Sequence, residues 1–241
     1  MVVNGREGAG RWARPRVVWD WPPSSLVGGL GPRARARLLA LGVGRRYAAD
    51  RVLMGEGEET TFVLVLLGGV VKATGRTQDG REALLAVRRG GDLVGEFAAV
   101  DGGPRSATVT TCGPVAARLV RRGDFLRCLR DDPEIGQAVD RAIVAKLRVA
   151  NAFRVDFTGC DAATRLARVL HQIAMVYGER AGDAVVIRWP LTQPELATLS
   201  GAAEPTVHKA LRSLREAGVV STGYRTVRVE RLGRLREIAF G

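Results

Sequence analysis

Between residues 45 and 120 the chain alternates short aliphatic and β-branched runs with glycine-rich turns. The runs are Thr61–Leu67, Val70–Thr74, Ala83–Val87, Ala107–Thr111 and Val115–Val120. The turns include Gly55-Glu56-Gly57, Gly68-Gly69, Gly90-Gly91 and Asp101-Gly102-Gly103-Pro104. Many short strands at this spacing predict an antiparallel β-sandwich or barrel, and Gln78-Asp79-Gly80-Arg81 fits a hairpin turn. Arg33–Leu41, stopped by Gly42, predicts a short helix before them.

After residue 131 the apolar period lengthens. Asp132-Pro133-Glu134 is a helix start: a capping carboxylate, proline in the first turn, and an acid near the dipole's positive end. Ile135, Val139, Ile143, Leu147, Ala150, Phe153 and Phe157 then step by three or four, so the helix runs to about 157. This seam either packs on its own barrel or pairs with a second copy. A helix this long beside a small domain favours a homodimer, with Val139, Ile143, Leu147, Ala150 and Phe153 as its contacts. Thr158-Gly159-Cys160-Asp161 breaks the helix, and Asp161 caps the next, Ala162–Tyr177. A turn at 178–183 precedes a strand at Ala184–Ile187.

Residues 192–217 carry a helix-turn-helix pattern. Thr192 caps a helix opening with Pro194 and Glu195, small residues with Gly201 make the turn, and a second helix starts near Glu204. Val207, Leu211 and Leu214 would be buried. Thr206, His208, Lys209 and Arg212 would face base edges and phosphates, although His208 could equally face solvent. Residues 222–229 read as a β-hairpin wing with Tyr224 and Arg225 at its tip. Thr192, Gln193 and Glu204 complete the DNA-binding candidates.

Composition agrees with a nucleic-acid partner. The 241 residues carry 37 Lys+Arg against 25 Asp+Glu, a net charge of +12. Only Lys72, Lys146 and Lys209 are lysines, so arginine-rich base composition explains part of that excess. Residues 161–241 hold 12 basic and 8 acidic side chains; residues 1–40 hold 7 and 2. Residues 1–24 lack periodicity and read as a flexible arm, whose Trp12, Trp19 and Trp21 either dock on the body or serve a partner. The lone cysteines at 112, 128 and 160 exclude a zinc or iron–sulfur cluster and suggest a reduced, cytoplasmic protein. The longest apolar run, Phe62–Val71, is too short to span a bilayer, so no membrane partner is expected. No catalytic His/carboxylate cluster, nucleophile elbow or Walker loop is present, so an enzyme is not expected.

A second pattern lies in the β-rich segment: Gly90-Gly91-Asp92-Leu93-Val94-Gly95-Glu96, then Arg105-Ser106-Ala107. It resembles the phosphate-binding cassette of cyclic-nucleotide domains. With the long helix and winged helix-turn-helix, residues 25 to 241 resemble the CRP/FNR family of bacterial transcription regulators. The resemblance implies an α+β chain: an arm (1–24), a jelly-roll type antiparallel β-barrel (25–131), a dimerisation helix (132–158) and a winged helix-turn-helix domain (159–241). It implies a DNA-binding homodimer modulated by a cyclic nucleotide, cAMP first, with RNA polymerase as a further partner.

By that resemblance Gly95, Glu96, Phe97, Ala98, Arg105, Ser106 and Ala107, with Asn151 of the long helix, are the nucleotide-binding candidates. An arginine fork and Ser106 suit a cyclic phosphate, and Glu96 suits a ribose 2′-OH. Alternatively Glu96 and Arg105 pair with each other in a vestigial pocket, and the regulator is constitutive or controlled by a protein. The family's adenine-contacting Thr and Ser fall on Ala150 and Asn151, and its common base readers on Glu204, Pro205 and Lys209. These departures put the effector's base and the operator sequence in doubt. The haem members' barrel histidine has no counterpart, since His171 and His208 lie in the C-terminal part, and no metal site is expected.

Overall fold

The computed structural model describes residues 20–78, 80, 82–223 and 226–241. In chain order the elements are α1 (Pro32–Ala40), β1 (Val43–Tyr47), β2 (Val52–Met54), β3 (Val63–Gly68), β4 (Val70–Arg76), β5 (Glu82–Arg89), β6 (Leu93–Val94), α2 (Glu96–Asp101), β7 (Thr108–Thr111) and β8 (Val115–Val120). Then come α3 (Arg122–Asp131), α4 (Pro133–Gly159), α5 (Ala162–Tyr177), β9 (Glu179–Ala181) and β10 (Ala184–Ile187). The chain ends with α6 (Gln193–Ser200), α7 (Glu204–Glu216), β11 (Val220–Gly223), β12 (Thr226–Val229) and α8 (Leu232–Phe240).

The first eight strands form two four-stranded antiparallel sheets, ordered β1-β8-β3-β6 and β2-β7-β4-β5, in place of a closed barrel. β3 shows why the apolar run at 62–67 is continuous. Leu64 and Leu66 join Met54, Val71, Val94, Val109, Val115 and Ala117 in one core. Val63 and Val65 point the other way, into a core with Leu38 of α1, Phe125 of α3, and Ile135 and Val139 of α4. A strand buried on both faces has no polar alternation to display.

A third core fills the C-terminal unit, where Leu166, Leu170, Ile187, Leu196, Val207, Leu211, Leu214, Val229 and Leu235 converge. Its sheet is ordered β11-β12-β10-β9. Leu84 and Val87 of β5 and Cys112 belong to this same cluster, so the second sheet of the β-domain is packed against the helix-turn-helix unit.

Several boundaries differ from the sequence reading. α4 continues through Thr158 and Gly159; the chain leaves it at Cys160, and Asp161 caps α5 by accepting the Thr164 N–H at 2.7 Å. That bond holds the Asp161 carboxyl below its ordinary pKa. Ala107 lies just before β7. The apolar stripe of α4 serves two cores rather than one. Val139 is fully buried in its own domain, Ile143 packs partly against that core, and Phe153 packs against the C-terminal core. Val139 is therefore not a free contact for a second copy, while Ile143 and Phe153 are half-buried. The exposed apolar positions are Val144, Leu147, Val149, Val155 and Phe157, with Ala150 and Asn151 also exposed. Trp21 docks on the body, its indole N–H donating to the Leu67 carbonyl at 2.9 Å. Trp12, Trp19, Asp79, Arg81, Tyr224 and Arg225 lie outside the described residues.

Candidate effector pocket and nucleic-acid interface

The cassette is built on one sharp reversal. Gly95 caps α2 in the left-handed region, φ +85°, and a Cβ there would lie 2.5 Å from Arg105 Nη1. Glycine is thus required by both the backbone and the arginine behind it. Arg105 is buried; it donates from Nη1 to Gly95 O (2.9 Å), from Nη2 to Phe62 O (2.8 Å) and from Nε to Thr60 Oγ1 (3.0 Å). Its guanidinium also lies over the Phe62 ring, 4.7 Å from the centroid. A guanidinium has five donors, so the fork is held rigidly with two still to place. Burial lowers its pKa, opposed by the carboxylates of Glu58 and Glu96.

Glu96 is buried as well, but its ion-pair partner is Lys146 of α4, Nζ to Oε1 2.6 Å, and among the described residues it makes no ion pair with Arg105. Lys146 also donates to Leu93 O at 3.0 Å and lies over Phe97. Burial holds the Lys146 pKa below its ordinary value, with Arg88 pushing the same way and Glu96 opposing. The sequence reading missed Lys146. Its partner is 50 residues away, and no local spacing signals that pairing. Ala98 is buried behind the cassette; Phe97 and Ser106 are exposed, and Gly95 and Ala107 are half-buried.

Beside Lys146 a cavity of about 270 Å³ opens between β5, α4 and α5. Leu85, Ala86, Lys146, Val149, Ala150, Gln172 and Val176 are among its walls. Ala150 lines it and Asn151 does not. One step along a helix turns the side chain by about 100°, so Asn151 sits on the exposed face instead of in this cavity.

In the C-terminal unit the capping box of α6 is complete. Thr192 Oγ1 accepts the Glu195 N–H, and the Glu195 carboxylate accepts the Thr192 N–H. Gly201 ends α6 at φ +57° in the closest space of the turn, where a Cβ would lie 2.6 Å from Phe157. Arg165 fastens this corner, donating to Ser200 O (2.6 Å), Gly201 O (3.0 Å) and Cys160 O (2.6 Å) while lying over Phe157. It ties the end of α4 to the helix-turn-helix, a role no motif announced. Val207, Leu211 and Leu214 of α7 are buried. Glu204, Thr206, His208, Lys209 and Arg212 are exposed, as are Thr192 and Gln193 at the start of α6. Arg212 pairs with Glu216 one turn on, at 2.9 Å. His171 sits edge-on to Phe240, and burial lowers its pKa.

The two units are latched. Lys72 Nζ meets Glu195 Oε1 at 2.8 Å, the Leu84 N–H donates to Thr198 Oγ1 at 3.0 Å, and Tyr177 OH donates to Val87 O at 2.6 Å. Trp189, edge-on to Tyr177, buries its indole N–H without an acceptor among the described residues. Among the described residues no cluster of His, Cys, Asp or Glu could hold a metal ion, and no helix is long and apolar enough to cross a membrane.

Comparison with known proteins matches this geometry. Residues 44–132 match the cyclic nucleotide-binding domain and residues 164–238 the Crp-like helix-turn-helix domain. The CRP-like cAMP-activated global transcriptional regulator of Mycobacterium tuberculosis is 32% identical over 191 residues, 78% of this chain and 85% of the relative. The cyclic AMP receptor protein of Thermus thermophilus is 28% identical over 90% of this chain and 98% of its own. The structure of FixK2 from Bradyrhizobium japonicum superposes with a TM-score of 0.71 over 83% of this chain and 98% of that one; at 21% identity it shows the fold alone. The M. tuberculosis relative is described as a transcriptional regulator and not as an enzyme. The chain, a cyclic nucleotide-binding domain followed by a DNA-binding helix-turn-helix, belongs to the CRP/FNR family of transcription regulators.

Proposed function

We propose that the protein is a homodimeric, sequence-specific DNA-binding regulator whose activity is set by a cyclic nucleotide, with cAMP the first candidate. One observation carries the effector reading. Glu96 and Arg105 are both buried in the cassette yet are not spent on each other, and Arg105 keeps donors in reserve. A ribose hydroxyl at Glu96 and a cyclic phosphate at Arg105 and Ser106 use those groups as their chemistry suits them. The M. tuberculosis and Thermus relatives, described as cAMP-activated and as a cyclic AMP receptor, support cAMP over other nucleotides.

Homodimerisation is supported by the exposed Val144, Leu147 and Val155 on α4, which share one side of the helix because three and eleven residues are close to one and three whole turns. In that dimer the two α7 helices enter successive major grooves of a roughly palindromic site, with Lys209 on phosphate or base edges. Ligand binding shifts the pose of the DNA-binding unit about residues 158–161, a population shift driven by unequal affinity for the two poses. RNA polymerase as a partner, and the cytoplasm of a bacterium as the setting, follow from this role.

One observation favours a second reading, a constitutive or protein-controlled regulator. Glu96 is already neutralised by Lys146, and Ala150 offers no hydrogen bond to a base. Calorimetric titration with cAMP and cGMP separates the two. The effector reading requires a saturable isotherm near one ligand per protomer, lost in Arg105→Ala. Absence of binding by both nucleotides would leave the second reading.

A further inference from the structure

The cavity beside Lys146 contains one polar group that the fold does not use. Of the polar side chains on its wall, Lys146 bonds Glu96 and Leu93 O, Tyr177 bonds Val87 O, Arg88 bonds Val87 O, and Asp92 accepts the Arg89 N–H. Ser24 is exposed at the mouth. Gln172, half-buried on α5, forms no side-chain hydrogen bond with any described residue. Its amide therefore has donors and an acceptor that no described side chain or backbone group occupies, open to a bound group in the cavity it lines.

We propose that Gln172 reads the edge of a purine base seated in this cavity. The inference rests on the nucleotide reading above and adds to it a wall supplied by the DNA-binding unit. The rest of the cavity suits a flat ring: Leu85 and Ala86 on one side, Val149 and Ala150 on the other, Val176 beside Gln172. Its volume of about 270 Å³ is just below the usual range of drug-sized ligand sites, enough for a base alone. Lys146 lines the cavity and also pairs with Glu96 of the cassette, so a base in the cavity and a sugar near Glu96 would have Lys146 as a common neighbour. An amide presents a donor and an acceptor side by side, the complement of a purine edge. Gln172 thereby takes over the base contact that Ala150 cannot make. The coupling is direct: α5 packs on α6, α7 and α8, so a base held by Gln172 touches the DNA-binding unit without an intermediary.

The test is the ratio of cAMP to cGMP affinity, measured by calorimetry on the full-length protein and on Gln172→Glu. A carboxylate only accepts; it matches guanine's adjacent N1–H and N2–H donors and opposes adenine's ring nitrogen. The ratio should move toward cGMP by about tenfold or more. Gln172→Leu serves as the second variant. It should bind cAMP and purine riboside 3′,5′-cyclic phosphate, which lacks the exocyclic amine, with nearly equal affinity, whereas the wild type should distinguish them. A purely structural role would lower all affinities together and leave these ratios fixed. Unchanged ratios, with binding still lost in Arg105→Ala, would overturn the role of Gln172 and leave the effector reading intact. Absence of binding of any nucleotide by the wild type would overturn both.

Discussion

Lys72 of β4 and Glu195 of α6, separated by 123 residues in sequence, meet at 2.8 Å and fasten the first helix of the helix-turn-helix to the β-domain. The same Glu195 closes the capping box of α6 with its other carboxylate oxygen. One side chain therefore sets both the start of the helix and its attachment.

The first prediction concerns that latch. Burial alone would lower the Lys72 pKa, but the hydrogen bond and charge of Glu195 outweigh it and raise the pKa above 10.5. A lysine stabilised in its charged form contributes fully below its unfolded pKa and loses that contribution as pH rises through the folded one. The lysine side of the latch is therefore intact at neutral pH and, on the alkaline side, weakens only in strong alkali. Lys72→Met should cost about 1 kcal/mol of stability at pH 7, read as a drop of roughly 2–4 °C in Tm. The deficit should shrink when both proteins are melted above pH 10.5.

The dimer seam gives a second. Leu147 is 60% exposed in the protomer, so Leu147→Asp should leave each protomer folded while placing two like charges in the seam. Sedimentation equilibrium should show half the wild-type mass at micromolar concentration, with an unchanged far-UV spectrum. Retained dimer mass would place the interface elsewhere.

Lys209 is exposed on α7 with no ion-pair partner among the described residues. Lys209→Ala should weaken DNA binding about tenfold at moderate salt. If its contact is to phosphate, the log–log salt slope should fall by roughly one. An unaltered affinity and slope would remove Lys209 from the interface.

What the sequence disclosed followed from local chemistry. The helix-turn-helix was legible because Thr192, Gly201 and the period of Val207, Leu211 and Leu214 are all short-range signals. The cassette was legible as a motif because Glu96 and Arg105 lie nine residues apart. The Lys146–Glu96 and Lys72–Glu195 pairs were not, because each joins elements that only the tertiary fold brings together. Short edge elements such as β1, β2 and β9 were passed over because three to five residues carry too little periodicity. The stripe on α4 was over-read for a related reason. Val139 and Phe153 have the spacing of a seam, but spacing does not say which surface each apolar side chain meets.

The central claim is that a nucleotide in the cassette changes DNA affinity. It is tested most directly by the affinity of the protein for a duplex selected from a random library, with and without saturating cAMP or cGMP, in wild type and Arg105→Ala. Allosteric couplings of 1–3 kcal/mol correspond to roughly 5- to 150-fold. A ligand-dependent change of that size in the wild type, absent in Arg105→Ala, is the predicted result. Equal DNA affinity with and without either nucleotide would contradict the account.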